Sequence, residues 1–180
     1  MLHLSFSYQQ AYRHFLDIEL EFTTSKNENL VAQLPAWRPG RYELADFSQN
    51  IQKFKVVDKK GNPINFHKES KDSWSINIDW EKENEDKKEI KIVYNFYSNK
   101  LDAGSTYLDE NQLYINPVNC CLYIVGREQE QYQIECKIPA NYKLASGLKE
   151  VSKNILIADH FDQLAECPII ASPTLREYKY

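Results

Sequence analysis

Along residues 14–22 apolar and polar side chains alternate, with Leu16, Ile18, Leu20 and Phe22 separated by Asp17, Glu19 and Glu21. A period of two sends alternate side chains to opposite faces of an extended backbone, so the segment predicts a strand with one dry and one wet face. Residues 73–80 repeat the pattern, placing Trp74, Ile76, Ile78 and Trp80 opposite Ser75, Asn77 and Asp79. Ile90, Ile92, Tyr94 and Phe96 form a third such face, and Tyr132, Ile134, Cys136 and Ile138 a fourth. Trp74 is expected in the core. The mixed-sign run at 81–88 lies between the second and third strands and predicts a solvated hairpin loop. Residues 54–57 and 64–67 flank Asp58-Lys59-Lys60-Gly61-Asn62-Pro63, a second hairpin in which Gly61 can take positive φ. Residues 121–125 are apolar on both faces and predict a mid-sheet strand. Helix signals are few; the best is 159–164, capped by Asp159 and stopped before Pro168. Short strands with turns between them, and no internal repeat or linker, predict one all-β domain. Its expected form is a β-sandwich or twisted double sheet of mainly antiparallel strands, with one short helix near the C-terminus.

Composition narrows what such a domain does. At 180 residues, 42% hydrophobic and 13% aromatic, the chain has material for a real core. Its net charge of −4 removes the usual electrostatic reason to expect a nucleic acid or an anionic membrane as partner. No apolar run approaches the ~18 residues of a membrane span. The opening Met-Leu-His-Leu-Ser-Phe-Ser lacks a basic head followed by an apolar stretch, so the expected location is cytoplasmic. Cys120, Cys121, Cys136 and Cys167 include no Cys-x-x-Cys pair and are expected as free thiols packed like small hydrophobes.

Catalytic motifs are not found. A helical zinc hydrolase needs His-Glu-x-x-His, which sets two imidazoles on one helix face beside the metal-bound water, and the sequence has none. His3, His14, His67 and His160 are scattered. With 5 glycines, the chain offers neither a nucleophile elbow nor a phosphate loop. Cys167 follows His160 by seven residues without a third orienting group, and Asp102, Asp109 and Glu110 match no calcium-loop spacing. The unusual stretch is 34–47, with Pro35, Pro39, Gly40 and three aromatics in one connection. Its prolines fix the backbone, making a stiff, shaped loop. It either presents Trp37, Arg41 and Tyr42 as a surface or plugs one end of the sandwich.

These residues resemble a known family. Pro35-Ala36-Trp37-Arg38-Pro39-Gly40-Arg41-Tyr42-Glu43-Leu44-Ala45-Asp46-Phe47 is similar to the Pro-x-Trp-x-Pro-Gly-x-Tyr-x-(Ile/Leu)-Arg-Asp-Phe signature in the N-terminal β domain of glycyl-aminopeptidase-like zinc metallopeptidases. The 58–63 turn, Trp74, Cys121-Leu122-Tyr123-Ile124-Val125-Gly126-Arg127 and the 160–169 segment follow that domain's later landmarks in order. Departures are Ala45 for the usual Arg, Arg41 for the usual Ser, Glu166-Cys167 for Asp-Ser, and Asn116-Pro117-Val118-Asn119-Cys120 where an Asn-Gly turn is usual.

The resemblance implies a non-catalytic accessory domain over 1–172, with 173–180 starting a linker toward a thermolysin-like catalytic domain that holds the zinc. The implied partners are that catalytic domain of the same polypeptide and, indirectly, its peptide substrate. Arg41, Tyr42 and Asp46 are expected at the interface or cleft wall, with Trp37, Pro39 and Gly40 anchoring the loop. The alternative is a free-standing sandwich that binds a peptide or protein through residues 37–47 or a strand edge. A self-contained hydrolase is not supported, because no nucleophile, base and orienter can be assembled.

Overall fold

The alternation in the sequence becomes strand register in a computed structural model, which describes all residues except Asn27, Pro39, Tyr42, 81–85, Ala103, Glu177, Lys179 and Tyr180. In chain order the strands are β1 (Leu2–Ser7), β2 (Phe15–Ser25), β3 (Leu30–Gln33), β4 (Ile51–Asp58), β5 (Asn65–Lys68), β6 (Ser73–Asn77), β7 (Lys87–Tyr97), β8 (Tyr107–Leu108) and β9 (Leu113–Ile115). After helix α1 (Pro117–Cys120) come β10 (Tyr123–Ile124), β11 (Tyr132–Cys136), β12 (Lys143–Ser146), β13 (Lys149–Ser152) and β14 (Ile155–Ala158), then helix α2 (Phe161–Glu166) and β15 (Ile169–Ser172). They build a seven-stranded sheet in the order β13-β14-β11-β1-β2-β7-β4 and two four-stranded sheets, β10-β3-β6-β5 and β12-β15-β9-β8. Among the described residues pairing is antiparallel except between β1 and β11. The fold is the expected all-β sandwich of mainly antiparallel strands.

Register explains the large sheet's two faces. Leu4 sits opposite Leu20, Phe6 opposite Ile18, and Ile18, Leu20 and Phe22 opposite Tyr94, Ile92 and Ile90. These side chains are buried and share one core with Ala32, Trp74 and Ile76 of the second sheet and Leu113, Ile115 and Ala171 of the third. The other face stays polar: Lys91 Nζ lies 2.6 Å from Glu21 and 3.1 Å from Glu19, and Asn95 donates to Asp17.

Several local expectations change. β6 and β7 do not form a hairpin, because β6 belongs to the second sheet and β7 to the first, so the connection between them crosses sheets. Residues 81–85 of that connection lie outside the described residues. Matching alternation shows that each strand has a dry face but not which strand it pairs with. Ser73 and Ser75 are buried as well, while Ile78 and Trp80 lie beyond the strand end at Asn77. The 58–63 turn forms: Asp58 Oδ1 accepts from the backbone N–H groups of Lys60 (2.9 Å) and Asn62 (2.8 Å), and Gly61 has φ 84°. Past the single bridge from Val57 to Pro63 its flanks part, β4 joining β7 and β5 joining β6.

Residues 121–125 are not mid-sheet. β10 is an edge strand paired with β3, and Cys121, Leu122 and Ile124 are buried in the shared core, while the Tyr123 ring meets Phe161 of α2 at 4.8 Å. The cap of α2 is His160 rather than Asp159. His160 is extended, and its Nδ1 accepts from Gln163 N–H at 3.2 Å, while Asp159 N–H donates back to Gln163 Oε1 at 2.6 Å. The helix ends where Cys167, preceding Pro168, takes an extended conformation. α1, which the sequence pattern did not predict, starts at Pro117, where a missing N–H costs nothing. Cys120, Cys121 and Cys136 are buried free thiols and Cys167 is half-buried; burial pushes the Cys136 thiol up to about 12.

After β10, Gly126 turns at φ 84° and aims Arg127 back across the sheets. Arg127 donates to Thr23 O at 2.9 Å and to both oxygens of Glu130 at 2.6 and 3.0 Å, with its cation over the Phe22 ring. Glu130 also accepts from the Met1 amine at 2.8 Å. Hydrogen bonds from Arg127, then from that amine, hold the Glu130 carboxyl down at about 2. Because its folded value lies below its unfolded one, the stabilisation is present above the ordinary carboxylate range and is lost as pH falls toward about 2. Glu130→Gln should therefore flatten the stability–pH curve below the ordinary carboxylate range in acid-unfolding measurements. An unchanged acid limb would show that the pair contributes nothing.

Candidate functional site

The stiff loop is rooted in the core by Leu34, whose N–H donates to Asp72 O at 2.8 Å. Ala45 N–H bonds Ala36 O at 2.7 Å and closes the loop neck, and Lys71 Nζ reinforces it through Ala45 O at 2.7 Å. Residues 37–44 lie beyond this closure, so the described ones point away from the core. Trp37 is 50% exposed and Leu44 77% exposed. Trp37 is thus not the inward anchor expected of it; Leu34 and the half-buried Phe47 hold the two ends instead. Gly40 takes φ 81° in the turn, where Arg41 N–H meets Arg38 O at 3.3 Å. Pro39 and Tyr42 lie outside the described residues.

Two hollows flank this loop. The larger, about 680 Å³, runs between Trp37 and the two helices and is walled by Tyr123, Phe161 and Pro168. Glu128, Asp162 and Glu166 place carboxylates along it. Tyr123's hydroxyl is pushed above its ordinary range by burial, then by the charges of Glu128 and Asp162. Arg41 and Asp46 are both exposed and border instead a smaller hollow of about 240 Å³ with Lys100 and Asp102. Asp46 Oδ1 accepts from the Ser48 hydroxyl at 3.4 Å. Arg38 lines both, its guanidinium lying against Gly104 where a Cβ would collide with it. The structure therefore brings Arg41 and Asp46 together and sets Trp37 on the neighbouring groove.

Asn116, which lines the groove, belongs to a buried hydrogen-bond network. Thr106 Oγ1 donates to Asn119 Oδ1 at 2.7 Å and accepts from Asn116 N–H at 3.1 Å, while Asn119 Nδ2 donates to Gly104 O at 2.8 Å. This ties α1 to the 104–106 segment. Tyr94 adds a hydroxyl bond to Cys120 O at 2.6 Å. Sequence reasoning missed Tyr123, Glu128, Phe161, Asp162 and Glu166 as one surface: the i, i+4 spacing of Asp162 and Glu166 links those two alone, and the 123–128 segment joins them only through tertiary contacts, Tyr123 with the Phe161 ring and Glu128 O with Phe161 N–H. Among the described residues no group of three or more His, Cys, Asp or Glu side chains is arranged to hold a metal ion. The arrangement offers an aromatic, acidic recess.

The peptidase M61 N-terminal domain model matches residues 3–173. Among solved structures, an aminopeptidase N family protein from Idiomarina loihiensis superimposes with a TM-score of 0.85 at 22% identity, over 96% of this chain and 29% of that one, and so has the same fold. An M1 zinc metallopeptidase from Deinococcus radiodurans aligns at 10% identity and TM-score 0.48, over 95% of this chain and 40% of its own. The chain thus spans less than half of either protein. A search of curated proteins finds no match. A family match across nearly the whole chain, on an all-β fold shared with an aminopeptidase N family protein, identifies this chain as a member of the peptidase M61 N-terminal domain family.

Proposed function

We propose that this chain is the non-catalytic accessory domain of an M61-type zinc aminopeptidase, and that the face carrying the groove packs beside the catalytic domain and shapes access to its peptide-binding cleft. The domain spans 1–172, and 173–180 lead toward the catalytic domain, which holds the zinc. Trp37 carries this reading: an indole 50% exposed on a proline-stiffened loop, at the lip of the larger groove, is costly in water and ready to be covered. A side chain already held in place loses little entropy on docking. Arg41 and Asp46, in the adjoining hollow, extend the same face with charge.

The test is a thermal shift of the 180-residue chain with and without the separately expressed catalytic domain. A partner that binds only the folded domain raises its melting temperature. Trp37→Ala combined with Arg41→Ala should leave the chain folded yet weaken docking by about 1 kcal/mol or more, the scale of a modest hot spot. No shift at saturating catalytic domain, or docking unaffected by the double substitution, would overturn the reading.

A further inference from the structure

The aromatic groove carries a charge pattern that docking alone does not require. Trp37 and Tyr123 supply ring faces, Tyr123 backed by the buried Phe161 at 4.8 Å; Glu128, whose Oε1 accepts from Gly126 N–H at 3.0 Å, Asp162 and Glu166 supply carboxylates, while Arg38 turns its guanidinium toward Gly104. The two acids on α2 stand at i and i+4, on one helix face, where like charges repel. Glu166 sits at the helix C-terminus, the end that disfavours a negative charge. Asp162, in the first turn, stands at the end that favours a negative charge, so what counts against the helix is Glu166 at the other end and its repulsion with Asp162. The Tyr123 hydroxyl in the groove is raised first by its burial and then by the charges of Glu128 and Asp162. Ring faces with carboxylates beside them make a receptor for an organic cation, through cation–π attraction and charge-assisted hydrogen bonds.

We propose that the groove receives an arginine or lysine side chain of a peptide, its alkyl stem and cation lying along Trp37 and Tyr123 and its charge facing Glu128, Asp162 and Glu166. This rests on the reading of the groove as a wall of the peptide cleft and adds the kind of peptide that the wall favours. A peptide with a basic side chain gains contacts here that a neutral or acidic one lacks.

The probe is a blocked tripeptide, acetyl-Ala-Arg-Ala-amide, titrated into the 180-residue chain with tryptophan fluorescence as readout. Its comparators carry citrulline, the neutral isostere of arginine, or glutamate at the centre. The arginine peptide should bind saturably, at least fivefold tighter than the citrulline peptide, and weaken with added salt. Asp162→Asn with Glu166→Gln should erase that preference without lowering the melting temperature, and Trp37→Ala should weaken the arginine peptide while the fold persists. Equal binding of the arginine and citrulline peptides, no saturable binding, or a preference untouched by the acid-to-amide pair would overturn the proposal. If catalytic domain added in trans raises the melting temperature but blocks the arginine peptide, the occupant is that domain and not a peptide: the inference falls while the accessory-domain reading stands. If the peptide binds as expected and the catalytic domain gives no shift, the accessory-domain reading falls instead.

Discussion

Trp74→Ala is expected to cost the domain ~3–5 kcal/mol, a large part of the stability of a chain this size. The indole is 4% exposed and lies flat on Phe54, with ring centroids 4.7 Å apart and planes 9° from parallel. Phe54 belongs to β4 in the large sheet and Trp74 to β6 in the second, so this stack is a joint between two layers. Phe54 also reaches Tyr94, at 6.2 Å, which extends the joint into the centre of the core. Removing the indole leaves a cavity that rigid strands on either side can collapse into only partly. Urea unfolding should show a lower midpoint with an unchanged slope. A loss under about 1 kcal/mol would mean that the two sheets hold together without the stack.

Asn119→Ala should cost about 2–3 kcal/mol, through loss of partners rather than loss of volume. Asn119 is 3% exposed; its amide oxygen accepts from Thr106 and its amide nitrogen donates to Gly104 O. Alanine leaves a buried hydroxyl and a carbonyl without those bonds, and the four-residue α1 loses its tie to the 104–106 segment. Thermal melts of the variant should show the loss. Thr106→Val together with Asn119→Ala should cost less than the two singles summed, because each single change strands the other residue's buried group and the double change removes both. Strict additivity would show that the network is not coupled.

Strand faces were legible in the sequence where alternation was long. β2, β7 and β11 follow their dry residues nearly position for position, because burial on one face of a pleated sheet demands a period of two. Partners were not legible: residues 73–80 and 90–96 look like two arms of one hairpin but end in different sheets, a choice made by distant packing. The apolar run at 121–125 signalled the burial of Cys121, Leu122 and Ile124 but not the position of the strand, since a core can bury an edge strand as well as a central one, and Val125 is exposed. At α2 the preference for Asp as a cap lost to the His160 imidazole, one residue later, whose Nδ1 reaches Gln163 N–H. The loop at 34–47 stood out by its prolines, yet the direction of Trp37 depended on where the neck closes, at Ala36 and Ala45, which no side-chain pattern marks. The groove was the least legible feature, assembled as it is from four separate stretches of chain.

The parallel pairing of β1 with β11 sets an order of events in folding. β1 lies inside the large sheet, bonded to β2 on one edge and to β11 on the other. Its first neighbour follows within a short turn, so β1 and β2 can zip early as a local pair. Its second neighbour pairs Tyr132 with Leu2, a contact that spans most of the chain's length. Until the ribosome has released that segment, the far edge of β1 offers unpaired N–H and C=O groups beside an apolar face. Such long-range closure is slow. The nascent chain therefore passes through a stage with a templating edge open, when chaperone capture and chain-to-chain pairing compete with folding, and the arrival of β11 ends it.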